Sequence, residues 1–478
     1  MGETSRPCFA QAFPGLTREN AMPQKQNECR LLSVSSILGY GFPEASMQAG
    51  LERKPHYIGV DGGSTDPGAY YLGSGECLNS RKAMKRDLRL MLLGGVPRRI
   101  PIVIGTCGGA GSEPHLQEVA QIAREVARED GLKFKMAMIH ADQDKSSVKS
   151  WLRDGRISAL RNVPELTEAI VERATKIVGM MGAEPFMRAL DGGAQVVLAA
   201  RASDAASWAA CAMREGMPPA PSWYAGKMLE CGTASATPKG HDCLLGTVRE
   251  GHLEVEPMNP ARRCTPLSVA THGLHENASP TLHEEPGGLL DATDCAFTAV
   301  SDRAVRVSGM RWRTRPYDIK LEGAEFIGYR AITICGTRDP ILIGQIDSYL
   351  QIVRDDVAER ANNFGVSTEK YHLAFHVYGK DGVMGAAEPV TEFTSHELGI
   401  VVEVVAPDAE DAKAVLAIAR VVIPKVDFPG RLCKSGNMAF PFSPSDISVG
   451  PTYKFSVFHV VKTEDPYAMF PIEYEEVH

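Results

Sequence analysis

Carboxylates, a guanidinium and imidazoles recur in this chain directly after short apolar runs. "HYIGV" is followed by Asp61, Ser64 and Asp66, and "IPIVIG" by Thr106 and Cys107. "KFKMAMI" is followed by His140, Asp142 and Asp144, and "QVVLAA" by Arg201, Ser203 and Asp204. Ligands of open parallel sheets bind outside the carboxyl ends of the strands, so loops of this kind predict one shared polar rim. The residue types suit the addition or removal of water beside a carbonyl. That reaction needs a base for an α proton, an acid for the departing hydroxyl and a cation for the carboxylate. Asp142 and His272 are the candidates for proton transfer, and Arg201 is the candidate for the anion. Cys107, at a glycine-rich helix entrance, is a candidate nucleophile. Ser64, Asp204, Glu230, Cys231 and Asp446 are candidate substrate-binding residues. Asp61 and Asp66 could bind a divalent metal such as Mg²⁺, which takes oxygen ligands.

Each of these has a plainer role available. Asp and Gly make turns, a turn Cys packs, and a loop His satisfies backbone. Taken singly, those roles are the commoner ones; several such loops on one rim favour a site. The glycines of "YIGVDGGSTDPGAYYLGSG" let backbone approach whatever the carboxylates face. Gly105, Gly108 and Gly111 lead into a helix N-terminus with a spacing that can hold a phosphate. Neither G-x-G-x-x-G nor a Walker A motif occurs, so no nicotinamide or flavin is expected. Glu230 and Cys231 would face opposite ways in a strand but could act together in a loop.

The elements that must position these groups read as strand, glycine turn, helix, strand. "RKAMKRDLRLMLLGG" has apolar residues at helical spacing, and Ser112, Glu113 and Pro114 open a second helix. Further helices are expected near Pro164 to Met181, over "AASWAACAMREG", from about Pro340 to Asn363 and from Asp408 to Ile423. Residues 218–286, dense in Pro, Gly and His, read as irregular, and alternating β patterns begin at Asp302. The expected fold class is α/β: a mainly parallel sheet with helices on both faces, followed by an α+β domain. The expected division is an irregular segment 1–53, an α/β domain 54–295 bearing the rim, and an α+β domain 296–478. Pro441 and Pro444 predict a rigid loop in "FPFSPSDISVG".

At 478 residues the chain exceeds one ordinary core. With 44% hydrophobic and 23% charged residues it reads as globular, and a net charge of −8 argues against nucleic acid or an anionic membrane as partner. The eleven Cys are scattered without a C-x-x-C pair. Free thiols and a cytoplasmic setting are therefore expected, with neither a secretory leader nor a membrane span.

Several strings carry a likeness. "RASDAAS", "GKMLECG", "THGLHENASP", "EEPGGLLD", "VRVSG", "DIKLEGAEFIGYRAITICGTRDP" and "AFPFSPSDISVG" with "YKFSVFHVV" occur in order. In these the chain resembles the acyclic terpene utilisation (AtuA) family. It departs from the family pattern at Lys227, after Cys231 and at His140-Ala141-Asp142, as a divergent member would. The resemblance implies a catabolic pathway that degrades branched terpenoid acids through CoA thioesters. Within that setting a lyase is expected, a hydratase or dehydratase acting on a carboxylic acid or its CoA thioester, in a homo-oligomer. The alternative is a non-catalytic binding or assembly subunit that requires a partner chain.

Overall fold

In a computed structural model, residues 27–435 and 437–478 are described. The leader expectation, and residues 1–26 of the expected irregular segment, lie outside them.

The fold is α/β. Its larger sheet has ten strands and is mixed. The parallel centre is formed, in spatial order, by Cys29–Ile37, Tyr57–Asp61, Ile102–Gly105, Val196–Ala199 and Phe134–Ile139. Antiparallel strands flank it. Leu244–Arg249, His252–Pro257, Val305–Ser308 and Ala296–Ala299 extend one side, and Ile472–Val477 pairs with Phe134–Ile139 on the other. Helices Glu44–Glu52, Arg81–Gly95 and Glu113–Asp130 pack in one layer, and Glu184–Asp191, Ala206–Arg214 and Pro219–Leu229 in a second. Trp208 and Trp223 are buried in the core that results.

The second sheet is antiparallel. It orders His372–Tyr378, Leu398–Ala406, Asp318–Thr337, Asp446–Lys462 and Ile157–Ala159, with Ala174–Gly179 also pairing with Asp318–Thr337. Helices Ile346–Asn363 and Ala409–Val422 cover it around a core of its own. The 20-residue strand Asp318–Thr337 runs between the two cores: Ile319 and Leu321 lie in the first, Ala331 and Cys335 in the second. A small sheet of Leu282–Glu285, Gly288–Asp291 and Arg311–Thr314 completes the wall of the central cleft.

Several sequence expectations need correction. The N-terminal segment is not irregular throughout, because Cys29–Ile37 is a central strand. Ser33 and Ser35 disguise it; both are buried, and Ser33 Oγ donates to the Leu229 carbonyl at 2.9 Å. The helix expected to run to Met181 stops at Arg173, and Ala174–Gly179 is a strand because its backbone pairs with Leu321–Glu325. Residues 218–286 are not irregular either. Pro219 and Pro221 sit in a helix's first turn, where a missing N–H costs nothing, and two long strands follow. The sheets also cross the expected division at 295. Strands 157–159 and 174–179 join the second sheet, while 296–299, 305–308 and 472–477 join the first. Pro441 and Pro444 do lie in a loop, before the strand that starts at Asp446.

Candidate functional site

Three loops at the carboxyl edge of the parallel strands interlock through backbone. A Cβ on Gly62 would meet the Thr106 carbonyl oxygen at 2.5 Å, and one on Gly63 (φ +140°) would meet Gly109 Cα at 2.6 Å. A Cβ on Gly111 (φ +66°) would meet the Arg201 nitrogen at 2.5 Å. The glycines thus serve close approach, as expected, but what approaches is the next loop. This packing fixes where Asp61, Arg201 and Asp204 leave the sheet.

Arg201 is buried, with its Nε donating to Glu322 at 2.6 Å and its Nη1 to the Ala202 carbonyl at 2.8 Å and to Asp204 at 3.3 Å. Its Nη2 makes no hydrogen bond to the described residues. Glu322, fully buried, also accepts from Lys320 at 2.7 Å and from the Thr65 hydroxyl at 2.9 Å. Burial would raise its pKa, but Arg201 and Lys320 outweigh that and bring it down to about 2. The long strand Asp318–Thr337 thus delivers Lys320 and Glu322, two residues apart on one face, to the loops of the first sheet.

Arg201, Asp204 and Lys320 border a polar cleft of about 250 Å³, lined also by Ser64, Asp66, Ser203, Lys227, Glu230, His283 and Glu285. Glu285 accepts from the Ser203 hydroxyl at 2.5 Å. Burial, with Asp204 adding repulsion, pushes Glu285 up to about 7. Asp204 is raised by burial against the pull of Arg201, and Asp61 is held well above its usual range by burial and by Asp204. Lys227 donates to Glu230 at 2.6 Å; burial pushes Glu230 up to about 8, and Lys227 opposes it. Carboxyl groups that keep protons near neutrality can act as general acids and bases.

The expected residues are distributed as follows. Arg201, Ser64, Asp204 and Glu230 line the cleft, Asp66 lies exposed at its rim, and Asp61 is buried. Cys231 and His272 meet Glu230 at one wall, their donor atoms all within 4.8 Å of one another. Burial lowers His272 to about 4 and raises Cys231. Asp61 and Asp66 belong to no comparable group of three among the described residues. Asp142 does not line the cleft. Its carboxylate accepts from the Glu113 N–H at 2.8 Å, capping helix Glu113–Asp130, and pairs with Lys176 at 3.2 Å. That cap, with His115 accepting from the Ser112 N–H, occupies backbone donors at the helix entrance whose glycine spacing could hold a phosphate. Cys107 lies wholly inside the core, where burial raises its thiol pKa; it is packed rather than poised. Asp446 is remote from the cleft and pairs with Arg420 at 2.8 Å.

Sequence reasoning missed Glu285, Lys320 and Glu322. Each lies inside a string singled out above, "EEPGGLLD" and "DIKLEGAEF". Charged residues two apart in an otherwise buried strand were the available signal.

The family model described as "Acyclic terpene utilisation family protein AtuA" matches residues 84–240 and 247–429. The chain belongs to the acyclic terpene utilisation family. No curated protein and no solved structure matches it. The AtuA family is associated with catabolism of acyclic terpenes, and the cleft described above is formed largely within the matched span. No described helix of this AtuA-family chain is long and apolar enough to cross a membrane.

Proposed function

We propose that the protein is a hydro-lyase that adds water to, or removes it from, a branched carboxylic acid or its CoA thioester. The observation that carries this reading is the Ser203–Glu285–Asp204 wall of the polar cleft, faced by Arg201 and Lys320. Hydration of a double bond conjugated to a carbonyl needs a proton at the α carbon and a base for the attacking water. It also needs positive charge where the enolate oxygen develops. Glu285 supplies or takes the proton. Asp204 orients the attacking water and takes its proton, while Arg201 Nη2 and the remaining donors of the Lys320 ammonium hold the carbonyl oxygen. The enolate gains most from those donors, because the charge on its oxygen is greatest.

The test uses α,β-unsaturated branched acids and their CoA thioesters. Loss of the conjugated chromophore is followed, with deuterium incorporation at the α carbon in heavy water. Enzyme-dependent turnover with α-deuterium is expected for one substrate form, together with its loss in Glu285→Gln. If neither form turns over in the isolated chain, the reading is wrong; turnover that appears only on adding a partner protein would instead favour an assembly subunit.

A further inference from the structure

We propose that Glu230, Cys231 and His272 form a binding site for a thiophilic divalent cation of the zinc class. The site differs from the Asp61–Asp66 pair that the sequence suggested, both in position and in metal preference.

The three side chains come from two segments. Glu230 and Cys231 follow helix Pro219–Leu229 directly, ahead of the turn Gly232–Ser235, and His272 lies in helix Pro266–Gly273. A ring nitrogen, a thiol sulfur and a carboxylate oxygen lie within 4.8 Å of one another. Zinc–ligand bonds of roughly 2.0–2.3 Å place tetrahedral donors a little closer than that, within reach of small side-chain rotations. Residues adjacent in sequence converge here because the chain is turning rather than extended. Gly232 (φ +56°) makes the turn, and a Cβ there would meet the Ser36 nitrogen at 2.7 Å, so central-strand backbone holds the turn in place.

The donors are also prepared for a metal. His272 is buried, and its Nε2 lies 3.1 Å from the Lys227 carbonyl. Donation to that carbonyl leaves the lone pair on Nδ1, the arrangement in which an outer carbonyl orients a ligand imidazole. Nδ1 has no hydrogen-bond partner among the described residues. One oxygen of Glu230 is held by Lys227, and the other is likewise without a partner there. One sulfur, one nitrogen and one oxygen suit zinc, whereas magnesium takes oxygen donors and retains water. Three protein ligands leave a fourth tetrahedral position, and Glu230 places it beside the polar cleft. The Lys227 ammonium opposes a nearby cation and shares its carboxylate, so it weakens the site without occupying it.

Metal binding is tested without turnover, so the result stands apart from the proposed hydro-lyase activity. Chelator-stripped full-length protein is titrated with Zn²⁺ and, separately, with Co²⁺. About one equivalent should bind, and the cobalt form should show a thiolate charge-transfer band and the intense visible bands of a tetrahedral site. Cys231→Ser should remove the charge-transfer band, and His272→Gln should weaken binding at least tenfold, at the level typical of ligand-shell changes. Cys433→Ser, at an exposed thiol, should change neither. Should a variant fail to fold, wild-type alkylation decides: Zn²⁺ should slow modification of Cys231 and leave Cys433 reactive. Substoichiometric binding, a charge-transfer band that survives Cys231→Ser, or equal alkylation of Cys231 with and without Zn²⁺ would overturn the proposal.

Discussion

Glu285→Gln preserves the size of the side chain and removes only its ability to carry a transferable proton. With Glu285 as the proton-transfer group, kcat/KM falls by roughly 10²–10⁴-fold and the limb of the pH profile near 7 disappears. Stability should move the other way. The pKa of Glu285 is raised from 4.5 to about 7 in the folded state, so its contribution is complete below 4.5 and is lost as pH rises through 7. Ser203, Asp204, Lys227, Glu230, His283 and Glu284 are the charged, titratable and hydrogen-bonding groups around it. Thermal melts over this pH range should therefore show the variant gaining on the wild type as pH increases. Glu322 behaves oppositely. Its pKa is depressed to about 2, so its contribution is present above 4.5 and is lost only in strong acid. Glu322→Gln leaves Arg201 buried without its main counter-charge and should cost about 3–5 kcal/mol in denaturant titrations at neutral pH. Arg201, Asp204 and Ser64 were legible in the sequence because each follows an apolar strand. Glu285 was not, because its strand Leu282–Glu285 has a single apolar residue and is paired in a short hairpin with Gly288–Asp291, so it shows no apolar run.

The loop glycines separate two kinds of constraint. Gly63 needs both a positive φ and bare space, since Gly109 backbone lies 2.6 Å from where its Cβ would be. Gly68 (φ +112°) needs only the backbone freedom, with nothing within 4 Å. Gly68→Ala should cost about 1–3 kcal/mol by strain alone. Gly63→Ala should cost clearly more, and chemical denaturation of the two variants side by side measures the difference. Asp142→Ala removes a helix cap and should cost about 1 kcal/mol while leaving kcat within a few-fold of wild type. A large loss of kcat at unchanged KM would return Asp142 to the catalytic set. Helices with their own signals were readable: Ser80 accepts from the Ala83 N–H ahead of Arg81–Gly95, and Asp408 accepts from Glu410 and Asp411 ahead of Ala409–Val422. Ala174–Gly179 was not readable. Its Ile and Val also fit helical spacing, and only the remote strand Leu321–Glu325 decides the matter.

The two sheets exchange strands, and this governs how the molecule comes apart. Separating the chain after residue 295 would strip Ile157–Ala159 and Ala174–Gly179 of their partners. It would also remove three strands of the first sheet, Ala296–Ala299 and Val305–Ser308 from beside His252–Pro257 and Ile472–Val477 from beside Phe134–Ile139. Residues 27–295 produced alone should give no cooperative melt, whereas the whole chain should unfold in one transition by both circular dichroism and calorimetry. A sharp, independent transition for the fragment would show that the exchange is dispensable. The α/β class was visible from the rhythm of the first half, because its parallel strands alternate with helices along the chain. The exchange was not visible, because antiparallel partners lie far apart in sequence and share no local signal.

The pairing of Ile472–Val477 with Phe134–Ile139 also sets a clock for biosynthesis. The apolar edge Met136–Ile139 leaves the ribosome long before its covering strand exists. Roughly three hundred residues separate the two, and at about 5–20 residues per second the edge waits on the order of tens of seconds. During that interval the nascent chain presents an unpaired strand next to the most buried part of the first sheet. Synthesis of this protein should therefore depend on holdase chaperones that mask residues 134–139. Slowing translation should lower its soluble yield more than that of a protein whose sheet edges are paired locally.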